Sequence, residues 1–194
     1  MPSLMRCINT VSRCGAIYRA DRLKGTDLGD THHSYILTLC RCPGISQDSL
    51  ARKLFINKSN VTRTLAYLES HGYVRREQSP NDRRVLLVYP TEKAQAALPG
   101  IRSMLRDWNA YMAEALTEEE AAQLTAIMPK LAKRAAAYAG VSDEVFGDGN
   151  DAKATPFGPP FGPPSGPPSG RREDGGDGEV RTEAEEKEDA PENT

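Results

Sequence analysis

Residues 58–63 of this 194-residue chain combine an amine, a guanidinium, hydroxyls and an amide within two helical turns. Their amine and guanidinium groups are attracted to phosphates, and their hydroxyl and amide groups can reach base edges without bulk that blocks approach. On a helix these side chains would lie opposite a buried stripe of Val61, Leu65 and Leu68. The solvated face of an ordinary helix would have a similar composition, so the sequence on either side of this segment must distinguish the two interpretations. The candidate side chains are Lys58, Ser59, Asn60, Thr62 and Arg63.

The sequence around this segment is basic, although the net charge of the whole chain is −2. Residues 52–84 hold 8 Lys and Arg against 3 Asp and Glu. Residues 1–150 hold 20 against 16, a charge of +4, whereas residues 151–194 hold 5 against 11, a charge of −6. Phosphate neutralisation with counterion release is the physical use of such a basic patch. An acidic C-terminal part therefore masks a mildly basic domain.

The cysteines are the candidates for redox chemistry. The spacing of Cys7 and Cys14 predicts that both lie on the apolar face of a first helix, where a buried thiol behaves as a small hydrophobic side chain. Cys40 and Cys42 are too close for a CxxC pair, and the proline and glycine after them favour a helix end. We expect reduced, unreactive thiols, with a peroxide-sensing Cys7 or Cys14 as the alternative.

Metal and catalytic sites are not indicated. The adjacent His32 and His33 would point to different sides of a helix, and His71 lies beside Gly72 at a predicted helix end. No cysteine or acid spacing supplies further zinc ligands, and no Ser/His/Asp or Cys/His arrangement suits nucleophilic catalysis. We therefore expect no metal, no cofactor and no enzymatic activity.

Two helices and a hairpin would position the basic segment. Ser46 is a typical N-cap for a helix over 46–54, and a second helix over 57–71 follows three residues later. This spacing is typical of a helix-turn-helix, whose second helix enters the major groove. Strands at 73–76 and 85–89, joined by turn residues, predict a two-stranded wing.

Amphipathic helices flank this core. We predict one over about residues 4–23, a second that begins at Thr31, and a long one from Thr91 to about residue 115 that Pro99 kinks or splits. A capping box at Thr117 begins a last helix over 118–139. The fold class is therefore mainly α.

The C-terminal residues 143–194 are predicted to be a disordered tail. Residues 156–170 form a four-residue Pro/Gly repeat that lacks the three-residue period of collagen, and an acidic run follows from Glu183 to Glu192. An inert appendage is the simplest interpretation. The alternative is that its negative charge competes with DNA for the basic face.

No apolar run approaches the roughly 18 residues that a membrane span needs. Arg6 and Arg13 interrupt any short apolar stretch near the N-terminus, so a secretory signal is not predicted. We therefore expect a cytoplasmic protein with no membrane partner.

Together the motifs resemble the winged helix-turn-helix of MarR-type transcriptional regulators. The resemblance spans about residues 4–139, with Pro90 and Ala94 standing where the family usually has leucine and often has glycine. Neither change touches the predicted DNA face. The runs that carry it are SQDSLA at 46–51, NKSNVTR at 57–63, LESHGYV at 68–74 and NDRRVLLVYPTEKA at 81–94.

The resemblance implies a homodimer that binds double-stranded DNA. Residues 1–142 would form one domain, with dimerisation helices at about 4–23 and 91–139 and a DNA-binding core at about 31–90. The two winged domains would sit on the halves of a near-palindromic operator, and the protein would be an effector-responsive repressor. The alternatives are that the flanking helices pack within one subunit, and that the winged helix contacts protein rather than DNA.

Residue roles follow from position in the family's motif. Ser46 and Gln47 would touch phosphates near a helix N-terminus. Arg83 would enter the adjacent minor groove, while Arg84 pairs with Asp82 and shapes the wing. The side chains expected in the major groove are Ser59, Asn60, Thr62 and Arg63.

Many members of the family bind phenolic or other organic effectors between the dimer helices and the DNA-binding domain. The candidate wall residues here are also compatible with plain core packing. They are Tyr18, His33, Tyr35, Trp108 and Tyr111.

Overall fold

The computed structural model describes residues 3–141, and the predicted tail at 143–194 lies outside the described residues. The described part is mainly helical with one small sheet, so the predicted winged helix-turn-helix fold is confirmed. The helices are α1 (Leu4–Arg22), α2 (His32–Arg41), α3 (Gln47–Leu54), α4 (Lys58–Ser70), α5 (Glu92–Ala113) and α6 (Glu118–Tyr138). The strands are β1 (Ile45–Ser46), β2 (Val74–Gln78) and β3 (Leu86–Pro90).

The sheet has three strands rather than the two that the sequence predicts. Strand β3 lies in the centre and pairs antiparallel with β1 and β2, so that Val88 faces Ile45 on one side and Arg76 on the other. Gly44 leads the chain into β1 with a φ of 79°, and a Cβ at this position would lie 3.1 Å from the Tyr89 ring. The added strand ties the wing to the end of α2.

The core joins α2, α3, α4, the sheet and the start of α5. The predicted stripe on α4, which is Val61, Leu65 and Leu68, is fully buried. Leu50 of α3 and Val88 of β3 are buried in the same cluster. Burial of apolar surface at about 25 cal/mol per Å² stabilises this arrangement, and it leaves the opposite face of α4 in solvent.

Most of the predicted helix ends are found. The Ser46 hydroxyl accepts from the Ser49 amide, and the Thr117–Glu120 capping box is formed. Thr31 stands at the N-cap of α2 as predicted, but its side chain makes no capping bond because its backbone is already helical. Helix α5 runs through Pro99 without splitting, and a kink at this position stays a prediction.

The apolar faces of α1 and α6 lie largely in solvent in the single chain. Ile17 is 71% exposed and Ile127 is 49% exposed, while Gly15 and Ala136 are the buried residues of these helices. Cys7 and Cys14 are exposed as well, so the expectation that α1 buries them is wrong for one chain. Within residues 3–141, no helix has both the length and the apolar character to cross a membrane.

Candidate nucleic-acid interface

A tight turn sets the angle between α3 and α4. Phe55 ends α3 in the left-handed region, with a φ of 55°, and its amide donates to the carbonyls of Ala51 and Arg52. Asn57 then occupies the N-cap position of α4 with an extended backbone, although its side chain makes no capping bond. Because Leu50 and Val61 are buried beneath this turn, the two helices are held as a helix-turn-helix.

The five predicted recognition side chains share the exposed face of α4. Lys58 pairs with Asp48 of α3 at 2.7 Å, and the Arg63 guanidinium donates to Asn60 Oδ1 at 3.1 Å. These are exposed contacts, which contribute little stability but limit where the side chains point. The face therefore presents positive charge and hydrogen-bonding groups to solvent, as DNA recognition requires.

Gln47 is placed differently from the sequence prediction. The residue is only 9% exposed, and its Oε1 accepts from the Thr62 hydroxyl at 3.4 Å. Within residues 3–141, Gln47 Nε2 is the buried side-chain polar atom that lacks a hydrogen-bond partner. The geometry makes Gln47 a support for Thr62, and its phosphate contact stays a prediction.

The Ser46 side chain also has a structural role, as the N-cap of α3. Its Oγ accepts from the Ser49 amide at 3.2 Å and lies 3.0 Å from Ser49 Oγ. This contact fixes the N-terminus of α3, where the unpaired amides favour an anion. A phosphate contact at this position stays a prediction.

The wing tip carries two exposed arginines, Arg83 and Arg84. The Asp82 carboxylate accepts from the Arg84 backbone amide at 2.9 Å, and the Asp82 carbonyl accepts from the Val85 amide at the same distance. Asp82 therefore shapes the tip through the Arg84 backbone, which leaves the Arg83 side chain exposed beside it.

Arg76 is one of the basic residues in 52–84, but its role in the structure is to stabilise the fold. Its guanidinium and its backbone amide donate to the Glu69 carboxylate, with Nε 3.0 Å from Oε2. The hydrogen bonds from Arg76 lower the pKa of Glu69, and the same bonds raise the pKa of Arg76. This pair fastens α4 to β2. The sequence analysis missed it because only the folded turn brings the two residues together.

The predicted effector-pocket residues belong to different packing clusters of the described structure. Tyr35 is buried in the main core, and Trp108 packs against Tyr18 at 5.1 Å and against Tyr111 at 5.9 Å. His33 Nδ1 donates to the Asp30 carbonyl at 2.5 Å.

A groove of about 440 Å³ lies elsewhere, between the end of α1 and the middle of α5. None of the five predicted residues is among those that line it. Its lining includes Arg22, Leu23, Leu28, Tyr73, Ile101 and Met104.

The remaining candidate chemistry is weakly supported by geometry. Burial raises the pKa of the Cys40 thiol, which favours the protonated and unreactive form. Among the described residues, no group of three or more His, Cys, Asp or Glu side chains is placed to hold a metal ion.

Comparison with known proteins matches this architecture. A model of the MarR family matches residues 28–86, which include α2, α3, α4, strand β2 and the first residue of β3. The helix-turn-helix transcriptional regulator BilQ of Clostridioides difficile (strain CD3) is 24% identical over 122 residues, which are 63% of this chain and 82% of BilQ.

Two crystal structures agree with the fold at 27% identity. One, described as MarR, has a TM-score of 0.67 and covers 72% of this chain and 95% of its own. The other is a putative MarR family transcriptional regulator from Listeria monocytogenes in complex with a 26mer DNA, with a TM-score of 0.65 over 70% of this chain and 91% of its own.

Proposed function

This chain belongs to the MarR family of DNA-binding transcriptional regulators, and from that premise we propose that it is a homodimeric repressor of a near-palindromic operator. The observation that carries the proposal is the exposed face of α4, where Arg63 and its neighbours lie opposite a fully buried stripe. Such a face can enter the major groove without loss of core packing. The Listeria relative in complex with DNA supports the same use of the fold.

In this proposal each protomer reads one half-site. Ser59, Asn60 and Thr62 contact base edges with Arg63, and Arg83 of the wing enters the neighbouring minor groove. The N-terminus of α3 at Ser46 faces a phosphate. Two winged domains then bind successive major grooves, about 34–36 Å apart.

The dimer is supported by the apolar faces of α1 and α6. Contiguous exposed apolar surface of this kind usually marks an interface between proteins. In one chain the α6 stripe is exposed, and α1 presents further apolar side chains. A dimer through these helices would link the two recognition helices rigidly. The exposed residues of the α6 stripe are Leu124, Ile127, Met128, Leu131 and Tyr138.

An effector would release the DNA by changing the spacing of the two recognition helices. The groove lined by Leu23, Tyr73 and Met104 is a candidate site because it joins α1 and α5 to the start of β2. A ligand that fits this groove better in one dimer geometry would shift the population towards that geometry. A few ångströms of change would be enough to lose one half-site.

The test is a gel shift with the DNA upstream of the protein's own gene, against a scrambled duplex of equal length. The full chain should bind the upstream DNA with an affinity at least about a thousandfold higher than for the scrambled duplex. Arg63→Ala should lose most of that preference, whereas Lys24→Ala, an exposed charge at the end of α1, should keep it.

Two arms of the same assay separate the alternatives. Equal binding to both duplexes would contradict the proposal by showing DNA binding without sequence preference, and binding to neither would contradict it and favour a protein partner. Release by a phenolic ligand would support an organic effector, and release by peroxide that Cys7→Ser and Cys14→Ser abolish would replace it with a redox signal.

A further inference from the structure

The connection between α1 and α2 is bonded to the C-terminal end of the recognition helix. The Tyr67 hydroxyl of α4 donates to the Asp27 carbonyl at 3.0 Å. Lys93, at the start of α5, donates to the Asp27 carboxylate at 2.8 Å and to the His71 carbonyl at 2.9 Å. Asp27 therefore joins the α1–α2 connection to both α4 and α5.

Two histidines flank the Tyr67 ring. His71, the C-cap residue of α4, stacks on it with a centroid distance of 4.0 Å, and the His32 ring lies 5.0 Å from it. His32 is the first residue of α2, and its Nδ1 accepts a hydrogen bond from the Gly29 amide at 3.0 Å. The His32 ring thus packs on Tyr67 of the recognition helix and also accepts the hydrogen bond that closes the turn at residues 29–32.

Together Asp27, His32, Tyr67, His71 and Lys93 form a group that we call the Tyr67 cluster. We propose that the Tyr67 cluster orients the recognition helix relative to the α1–α2 connection, and that it forms only while His32 is neutral. Tyr67 is then a positioning residue for DNA binding. The inference deepens the proposed function and rests on it for its effect on DNA.

The neutral form of His32 is required by its contacts. An imidazole Nδ1 that accepts from an amide has no proton, and a proton there would remove the bond to Gly29. A positive charge at the first residue of a helix is also disfavoured by the helix dipole. The charged and titratable groups around this ring are Asp30 and His33 beside it, Arg19 on α1, His71 at the C-cap of α4 and the Asp27–Lys93 pair.

The net effect of these surroundings has a definite sign. Burial lowers the pKa of His32, the Asp30 carboxylate opposes this, and His71 adds to it. A histidine with a lowered pKa stabilises the arrangement above its ordinary value of 6.5, and this stability is lost as the pH falls below that value. The cluster should therefore open in mildly acidic solution.

The geometry gives this opening a functional consequence. Helix α1 is part of the proposed dimer interface, and Asp27 follows it by five residues. When the cluster is formed, the dimer fixes the direction of α4. When it opens, α4 keeps its basic face but loses this constraint, so operator binding weakens more than non-specific binding does.

The experiment measures the ratio of operator affinity to random-duplex affinity at pH values of about 5.5 and 7.5. The ratio for the full chain should fall about fivefold or more at the lower pH, the effect expected when one hydrogen bond is lost. His32→Asn places an acceptor near the Nδ1 position that does not titrate, so its ratio should be high at both pH values. Tyr67→Phe keeps the ring but should have the low ratio at both.

Ser34→Ala is the matched control, since its hydroxyl donates to the Thr31 carbonyl at the same end of α2 without reaching α4. It should follow the pH profile of the unaltered chain. A ratio that is independent of pH in the unaltered chain, or an identical fall in His32→Asn, would overturn the proposal.

A second measurement separates this inference from the proposed function. Protection of the Gly29 amide against hydrogen exchange, measured without DNA, should decrease as the pH falls in the unaltered chain but not in His32→Asn. If no operator is bound at either pH, the proposed function fails, and Gly29 protection alone decides whether the cluster opens.

Discussion

At the scale of single residues, Arg83 is the side chain whose role is easiest to isolate. It is exposed at a wing tip that Asp82 shapes through the neighbouring backbone amide, so its removal leaves the tip intact. We expect Arg83→Ala to weaken operator binding by about tenfold and to reduce the dependence of log affinity on log salt by about one charge. A fluorescence titration at several salt concentrations measures both.

The matched control for this substitution is Lys24→Ala, which removes the same charge from an exposed site at the end of α1. Its affinity and its salt slope should equal those of the unaltered chain. If Arg83→Ala and Lys24→Ala change the affinity and the salt slope equally, the effect of Arg83 comes from net charge and not from a minor-groove contact.

The pair of Glu69 and Arg76 gives a residue-level prediction with a pH dependence. Hydrogen bonds from Arg76 hold the pKa of Glu69 below its ordinary value of 4.5, so the stabilisation is present above that value and is lost as the pH falls through it. Glu69→Gln should lower the free energy of unfolding by about 1 to 2 kcal/mol at neutral pH. The difference between the free energies of unfolding of the two proteins, measured with urea, should shrink as the pH falls from 4.5 through the lowered pKa of Glu69. A difference that stays constant with pH would show that the carboxylate charge is not the cause.

At the scale of elements, the sequence predicted what local patterns determine. The stripe of Val61, Leu65 and Leu68 has a helical period, and Ser46 and Thr117 have the short polar side chains that caps require, so α4 and two helix starts were found. Contacts between elements that are distant along the chain leave no comparable pattern in the sequence. Strand β1 has two residues and depends on pairing with β3, which is distant in sequence.

The burial of a polar side chain between two helices could not be predicted from the sequence either. Gln47 has the polarity of a phosphate ligand, yet packing of α3 on α4 buries it against Thr62. The exposure of Cys7 and Cys14 was missed for the opposite reason, because an apolar stripe predicts burial without saying what covers it.

Two glycines allow the turn into β1 to be tested as an element. Gly44 and Gly72 both have a φ near 75–80°, but a Cβ would meet the Tyr89 ring at Gly44 and nothing within 4 Å at Gly72. Gly72→Ala should cost about 1 kcal/mol from backbone strain alone. Gly44→Ala should cost clearly more, since Tyr89 must also move. Thermal unfolding of both variants gives the difference, and equal losses would mean that the Tyr89 contact is unimportant.

At the scale of the whole molecule, charge is divided between a basic N-terminal part and an acidic C-terminal part. Residues 151–194 carry −6 against +4 for the rest of the chain. If this negative charge competes with DNA for the basic face, a chain that ends at residue 150 should bind random duplex more tightly at low salt. The gain should vanish as salt screens the charges. Equal affinities at low salt would indicate an inert tail.

The quaternary prediction concerns the exposed stripe of α6. Ile127 lies in its middle and is 49% exposed in one chain, so a carboxylate at this position should cost little within the protomer and much in an interface. We expect the unaltered chain to sediment as a dimer and Ile127→Glu to sediment as a monomer at micromolar concentration. Operator affinity should fall by at least about a hundredfold, because each half-site must then be bound separately. Ala126→Glu is the control, since it adds the same charge to an exposed position outside the apolar stripe. A monomeric unaltered chain, or an Ile127→Glu variant that remains dimeric, would place the interface elsewhere.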